Sequence, residues 1–375
     1  MESNLGGKMT KYKYYNTRDK KLIEDAFNNI AWLVFGKNAI DKIDAFSELF
    51  DMYVKEVNIY PQGTKQEYVN TYCPGVCRLD TADNKLVIEM LGFANANPSQ
   101  YTFIEHEATH EFSHSFVDLL PLIFSKNDNG YIQNGVRYKN HMGLIEEKNE
   151  RTGKLVGHHY YGKMFNETMM DIISTIGLVS FDDNFTGHIT ADDVLKKDYT
   201  HWENAKTGYS MFTSITRLAI AAFSNNGFVN YDQIIKSGNG IFDVDTTTMN
   251  GTSLKANDFL YGIMFDPMHI EREFDKFMGD GSYRKFAHYV DALFAILQQQ
   301  RKHEIPVHDV KKIMNILPDF LNKKCQYYLQ NGIMNQNQIS AIIGNFNKIW
   351  NSMQQEYSAY FSQREIDRIA KRAGR

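Results

Sequence analysis

The stretch from Ile104 to Phe116 reads IEHEATHEFSHSF and decides the fold. It holds two overlapping His-Glu-x-x-His patterns, His106-Glu107-Ala108-Thr109-His110 and His110-Glu111-Phe112-Ser113-His114. Residues four apart on a helix project from one face, a turn above each other, so two imidazoles can grip one ion. The Glu after the first His then points toward the open coordination position, where it can take a proton from bound water. The chain has 12 His in 375 residues. Chance then supplies only about 0.02 such patterns, so this is read as a metal helix rather than a polar face with adventitious histidines.

The two frames differ in what surrounds the metal. A zinc helix is buried around its ion, so the residues flanking the pair should be uncharged. In the second frame they are Phe112, Ser113, Ser115 and Phe116. In the first, the residue after the second His is Glu111, a charge that burial would penalise. The second frame is therefore expected, with His110 and His114 as ligands and Glu111 as general base. His106 lies one turn earlier and about 40° further round the helix, and is read as exposed or as supporting the ligands from outside.

Catalytic zinc normally takes three protein ligands and a water. Residues 163–178, KMFNETMMDIISTIGL, form a second helical pattern with an apolar stripe at Phe165, Met169, Ile172, Ile173 and Ile176. Glu167, Asp171 and Ser174 run along a different, more polar face. Glu167 suits the third ligand, and Asp171, one turn on, can receive the free N–H of a ligand imidazole. His158 and His159, in GHHYYGK just before that helix, are rival third ligands.

These two helices resemble the gluzincin metallopeptidases, in which His-Glu-x-x-His is completed by a Glu from a later helix bearing Glu-x-x-x-Asp. The string His110-Glu111-Phe112-Ser113-His114-Ser115-Phe116 is similar, more narrowly, to an uncharacterised bacterial metallopeptidase-like family carrying HEFSHSF and a downstream Asn-Glu pair, here Asn166-Glu167. The resemblance covers residues 85 to 180. It implies a zincin-like fold and zinc on His110, His114 and Glu167, with Glu111 as base. The duplicated His106-Glu107 departs from the family pattern and leaves the frame to be tested.

Such a site hydrolyses a peptide bond with zinc-activated water. The oxyanion of the tetrahedral intermediate needs a second stabiliser. Tyr160, Tyr161, His158 and His159 are nearest in sequence, and His201, His269 and His288 are alternatives. Two other readings stay open: a zincin-fold binding or scaffold protein without turnover, and a zinc amidase acting on cell-wall material. An intact Glu111 argues against the first, because a retired site has no chemical need for a base.

Outward from the metal helix, texture sets the architecture. Residues 18 to 56 read as helical, with apolar positions at Leu22, Ile23, Phe27, Ile30, Ile40, Ile43, Phe46, Leu49 and Phe50. Residues 57 to 60 and 85 to 90 read as short strands separated by Pro-Gly and Asp-Asn turns. The metal helix is expected to begin at Ser99 as N-cap. Residues 126 to 157 read as a long polar loop. Helical patterns dominate the last third, at 283–300, 308–330 and 336–373. An α+β fold follows, a small early sheet packed on the metal helix, with a zincin-like part over 1–180 and a mainly helical portion over 181–375.

Bulk properties narrow the rest. The net charge is −4 with 23% charged residues, so the basic footprint of a nucleic-acid binder is missing. The expected partner is a peptide or protein substrate, with no nucleic acid and no membrane span, since no apolar run approaches the roughly 18 residues required. Met9 after MESNLGGK leaves two readings, a short leader in place of a removed export signal or a native cytosolic start. The first, an extracytoplasmic protein, is favoured. Cys73, Cys77 and Cys325 read as ordinary residues, because CPGVC misses the two-residue redox or zinc spacing. Residues 182–193 lack the terminal Glu of a calcium loop, and the Gly turn at 237–240 lacks the Lys of a phosphate loop.

Overall fold

The computed structural model describes residues 11–36, 39–71, 73–80, 82–83, 85–124, 143–148, 152, 155–181, 209–223, 267–299 and 307–356. It is an α+β protein with a small four-stranded sheet and a mostly helical remainder. The chain divides into two compact units that interleave in sequence. The first comprises Met1–Lys139, Met170–Thr190 and Tyr231–Asp243; the second takes Asn140–Met169, Ala191–Asn230 and Val244–Arg375. Sequence texture alone suggests a single cut, between residues 180 and 181.

In the first unit, β1 (Tyr12–Lys13), β2 (Val54–Tyr60), β3 (Gly75–Asp80) and β4 (Lys85–Leu91) form a sheet in the order β1-β2-β4-β3. The pairs β1–β2 and β2–β4 are parallel, and β3 runs antiparallel to β4 at the edge. Strand side chains alternate between faces. The register pairs Val57 with Ile88, Ile59 with Met90, Cys77 with Ile88 and Gly75 with Met90, so these buried residues share one face. The opposite face mixes Val76, Val87 and Leu91 with polar side chains. There Glu89 accepts from Tyr60 Oη at 2.9 Å and from Arg78 Nε at 2.8 Å.

Two helices precede β2 where one helical stretch was expected. Helix α1 (Thr17–Phe35) starts with Asn16 Oδ1 accepting from the Asp19 N–H at 2.8 Å. It ends at Gly36, whose φ of 88° is open to glycine and strained for other residues. Helix α2 (Ile40–Tyr53) follows. The helix that carries the two His-Glu-x-x-His patterns is α3 (Tyr101–Phe124), entered through a 3₁₀ turn at Pro98–Gln100. The cap falls at Asn97, ahead of that 3₁₀ turn, rather than at Ser99: the Gln100 side chain accepts from the Asn97 N–H at 2.9 Å and closes the turn.

Aromatic rings lock α3 to its neighbours. Phe116 of α3 stacks on Phe46 of α2 with ring centroids 3.8 Å apart, and lies 5.5 Å from Phe27 of α1. Phe112 stacks on Phe50 at 5.6 Å. All five rings are buried. Helix α3 also packs against β3 and β4, so it is held between two helices and the sheet.

The second unit holds β5 (Gly143–Lys148) and β6 (Leu155–Tyr161), an antiparallel hairpin that starts inside residues 126–157, expected to be a long loop, and runs past them. Helix α4 (Lys163–Phe181) follows directly, beginning in this unit and passing into the first at Met170. Helices α5 (Tyr209–Phe223), α6 (Pro267–Met278), α7 (Ser282–Gln299), α8 (Val307–Gln330) and α9 (Gln336–Glu356) complete the described elements. The last three match the expected C-terminal helices as far as Glu356; α5 and α6 were not anticipated. Phe274 of α6 stacks on Phe286 of α7 and Phe320 of α8 at 5.5 and 4.8 Å. Phe223 of α5 joins Phe320 at 4.6 Å, and Phe165 of α4 joins Phe286 at 5.4 Å. The buried Lys324 Nζ donates to the Ala222 carbonyl at 3.1 Å, placing a cation at the negative end of α5.

The Phe116 stack sets a clear expectation. Replacing it with Ala removes a fully buried ring from a contact shared by three helices and costs about 3–5 kcal/mol. Denaturant unfolding of the metal-free full chain measures this. A loss under about 1 kcal/mol would show that the ring cluster does not anchor α3.

Candidate metal centre

Helix α3 presents two stripes. Phe112 and Phe116 take the face packed on α1 and α2, while His110 and His114 lie nearly opposite, since two residues advance a helix by about 200°. Ser113 and Ser115 flank the histidines in full burial, their hydroxyls donating to the helix's own carbonyls: Ser113 Oγ to Thr109 O at 2.7 Å and Ser115 Oγ to Phe112 O at 2.6 Å. Self-satisfied hydroxyls let a polar sequence line a dry site.

His110 and His114 are both buried, and their Nε2 atoms lie 3.1 Å apart. His110 Nδ1 lies 2.9 Å from Asp171 Oδ1 of α4, so Nδ1–H donates to the carboxylate. That contact selects the tautomer whose Nε2 keeps a free lone pair. One turn before Asp171 stands Glu167, half-buried. Ligand atoms of His110, His114 and Glu167 all lie within 4.8 Å of one another. Zinc with bonds of about 2.0–2.1 Å in a tetrahedron sets neighbouring ligand atoms about 3.3 Å apart. Two imidazoles and a carboxylate gathered this closely could hold a metal ion, and among the described residues this is the one group of three such side chains.

His106 is not part of it. Its ring centroid lies 6.3 Å from that of His110, and the ring is buried rather than exposed. Burial lowers its pKa to about 4, so the ring is neutral at physiological pH. Glu111 is buried as well. The penalty for a buried charge therefore falls on Glu111 in either frame and does not separate them. The structure gathers His110 and His114, and not His106, into one group with Glu167.

The edge strand β3 reaches the same helix face. A Cβ added at Gly75 would stand 2.8 Å from Glu111 Cγ and 2.9 Å from the Oε1 atoms of both Glu111 and Glu107. Each of these is closer than real side-chain contacts allow, so the two carboxylates occupy the space left by a missing side chain. Gly75 sits inside CPGVC, a stretch read for its cysteines and not expected to be a strand. Of the three cysteines, Cys77 and Cys325 are buried and Cys73 is exposed.

The other expected residues divide as follows. His158, His159, Tyr160 and Tyr161 belong to β6 by backbone, paired with Glu146, Ile145, Leu144 and Gly143, and their side chains lie outside the described residues. So do His201 and the side chain of His269, while His288 is exposed on α7. Residues 182–193 and 237–240 also lie outside. Asn166, beside Glu167, is buried with its Nδ2 lacking a partner among the described residues.

Comparisons with known protein families, with curated proteins and with solved structures find no match. The geometry above stands on this chain alone.

Gly75 offers a direct test of the contact with Glu111. In Gly75→Ala the flexible Glu111 side chain is what can yield, so the fold and metal content should survive while the carboxylate shifts. Metal analysis and a crystal structure of the variant check this. An unmoved Glu111 in a variant that folds normally would show that the glycine does not shape the site.

Proposed function

We propose that the chain is a zinc-dependent hydrolase, a gluzincin-like metallopeptidase acting on a peptide or protein substrate. The observation that carries this reading is the convergence of His110, His114 and Glu167 ligand atoms within 4.8 Å, with Glu111 next in sequence to the first of them. Two imidazoles and one carboxylate are the donor set of a catalytic zinc that keeps a position open for water.

Zinc held there would lower the pKa of a bound water toward neutrality and polarise the substrate carbonyl. Glu111 would accept the water proton and pass it to the leaving amine. Asp171 would keep His110 in the ligating tautomer and raise its basicity. The edge strand supports a peptide as substrate. No described strand pairs with the outer side of β3, and an extended peptide can add to such an edge through main-chain hydrogen bonds. Gly75, whose missing side chain leaves room for Glu111, lies on that strand.

Two substitutions test the reading. Glu111→Gln should keep one zinc per chain and lower hydrolysis of a peptide library by about 10²–10⁴-fold. Wild-type turnover in that variant would remove Glu111 from the mechanism. Glu167→Ala should release zinc to a chelator that wild type resists, and unchanged metal content would move the third ligand to His158 or His159.

A further inference from the structure

Helix α4 carries Glu167 in its second turn, and its beginning is unusual. The residue at its N-cap position is Gly162, whose carbonyl accepts the first helical bond from the Asn166 N–H at 3.1 Å. The first N–H groups of a helix have no partners within it and are normally met by the side chain of the capping residue. A glycine has no such side chain. The need is met from 129 residues away, where Asp291 of α7 accepts from Gly162 N–H at 2.7 Å through Oδ2 and from Met164 N–H at 2.9 Å through Oδ1. The Lys163 N–H approaches Oδ2 at 3.4 Å.

We infer that Asp291 is a positioning residue for the carboxylate ligand, holding the start of α4 so that Glu167 reaches the metal. The inference rests on the zinc reading of Glu167. Both oxygens of one carboxylate are engaged by three successive stations of the backbone, which fixes the direction of the first turn as well as its stability. Further contacts fix its rotation. Phe165 packs on Phe286, five residues before Asp291 on α7, and the buried Thr168 Oγ1 meets Thr216 Oγ1 of α5 at 2.6 Å. Glu167 lies between Phe165 and Thr168, so those contacts set where it points. Ligand distances to zinc hold within about 0.2 Å, a tolerance that an unanchored first turn does not meet. Burial pushes the Asp291 carboxyl up from its ordinary range while the three N–H groups pull it back. A carboxylate kept there at a desolvation cost is matched to the positive end of a helix.

The test measures zinc affinity by chelator competition and the visible absorption of the cobalt-substituted chain. Asp291→Ala should weaken zinc by about 10–100-fold, the range seen when groups that orient metal ligands are lost. Its cobalt spectrum should move toward that of Glu167→Ala. Asp291→Asn keeps one accepting oxygen and should recover part of both signals; it also serves if the alanine variant does not fold. Asn16→Ala removes a helix cap of the same kind from α1 and should lower stability without touching either signal. Wild-type affinity and spectrum in folded Asp291→Ala or Asp291→Asn, with Glu167→Ala impaired, would overturn the role of Asp291 alone. Should Glu167→Ala also leave both signals unchanged, the ligand assignment falls and the inference with it.

Discussion

Helix α3 has to satisfy two neighbours with opposite demands. One side must be oily enough to hold Phe112 and Phe116 against the rings of α1 and α2. The other brings the buried His110 and His114 together, with His110 held against Asp171. A helix can do both because residues two apart differ by about 200° in direction. The aromatic side therefore acts on the histidine side: wherever the phenylalanines seat the helix, the imidazoles follow. Packing energy and chemistry are coupled through one rigid rod.

Burying that much polarity carries a desolvation penalty that hydrogen bonds must offset. The serines around the histidines offset it locally, donating to carbonyls of their own helix. His106 meets it by staying neutral, its pKa lowered to about 4. His110 relies on Asp171 of α4, so the later turns of α4 are joined to α3 by a bond that also sets a tautomer. Ser113 and Ser174, with hydroxyls 3.4 Å apart, lie along the same contact.

Two residues outside the group of His110, His114 and Glu167 shape its neighbours, one by what it withholds and one by what it lends. Gly75 withholds a side chain, and the space it leaves is taken by Glu107 and Glu111. Asp291 lends a side chain to a helix whose own capping residue has none. Each involves an element separated from the histidines by tens of residues or more.

By itself, the sequence determined what repeats along a helix or strand. Period 3.6 placed His110 and His114 on one face, marked most of the helices, and set Glu167 and Asp171 a turn apart. Short apolar runs set between turn signals marked β2 and β4. Local pattern failed where the chain is kept in shape by something remote. The strand β3 is short and begins with Pro-Gly, and it is a strand because β4 supplies its partners. The hairpin β5–β6 lies in polar sequence, and the start of α3 depends on Gln100 reaching back rather than on Ser99. Only the tertiary structure decided that Glu167 stands with the two histidines, that Glu111 presses on Gly75, and that Asp291 begins α4. Those are contacts across space, made by hydrogen bonds and excluded volume that leave no periodic trace in the order of residues.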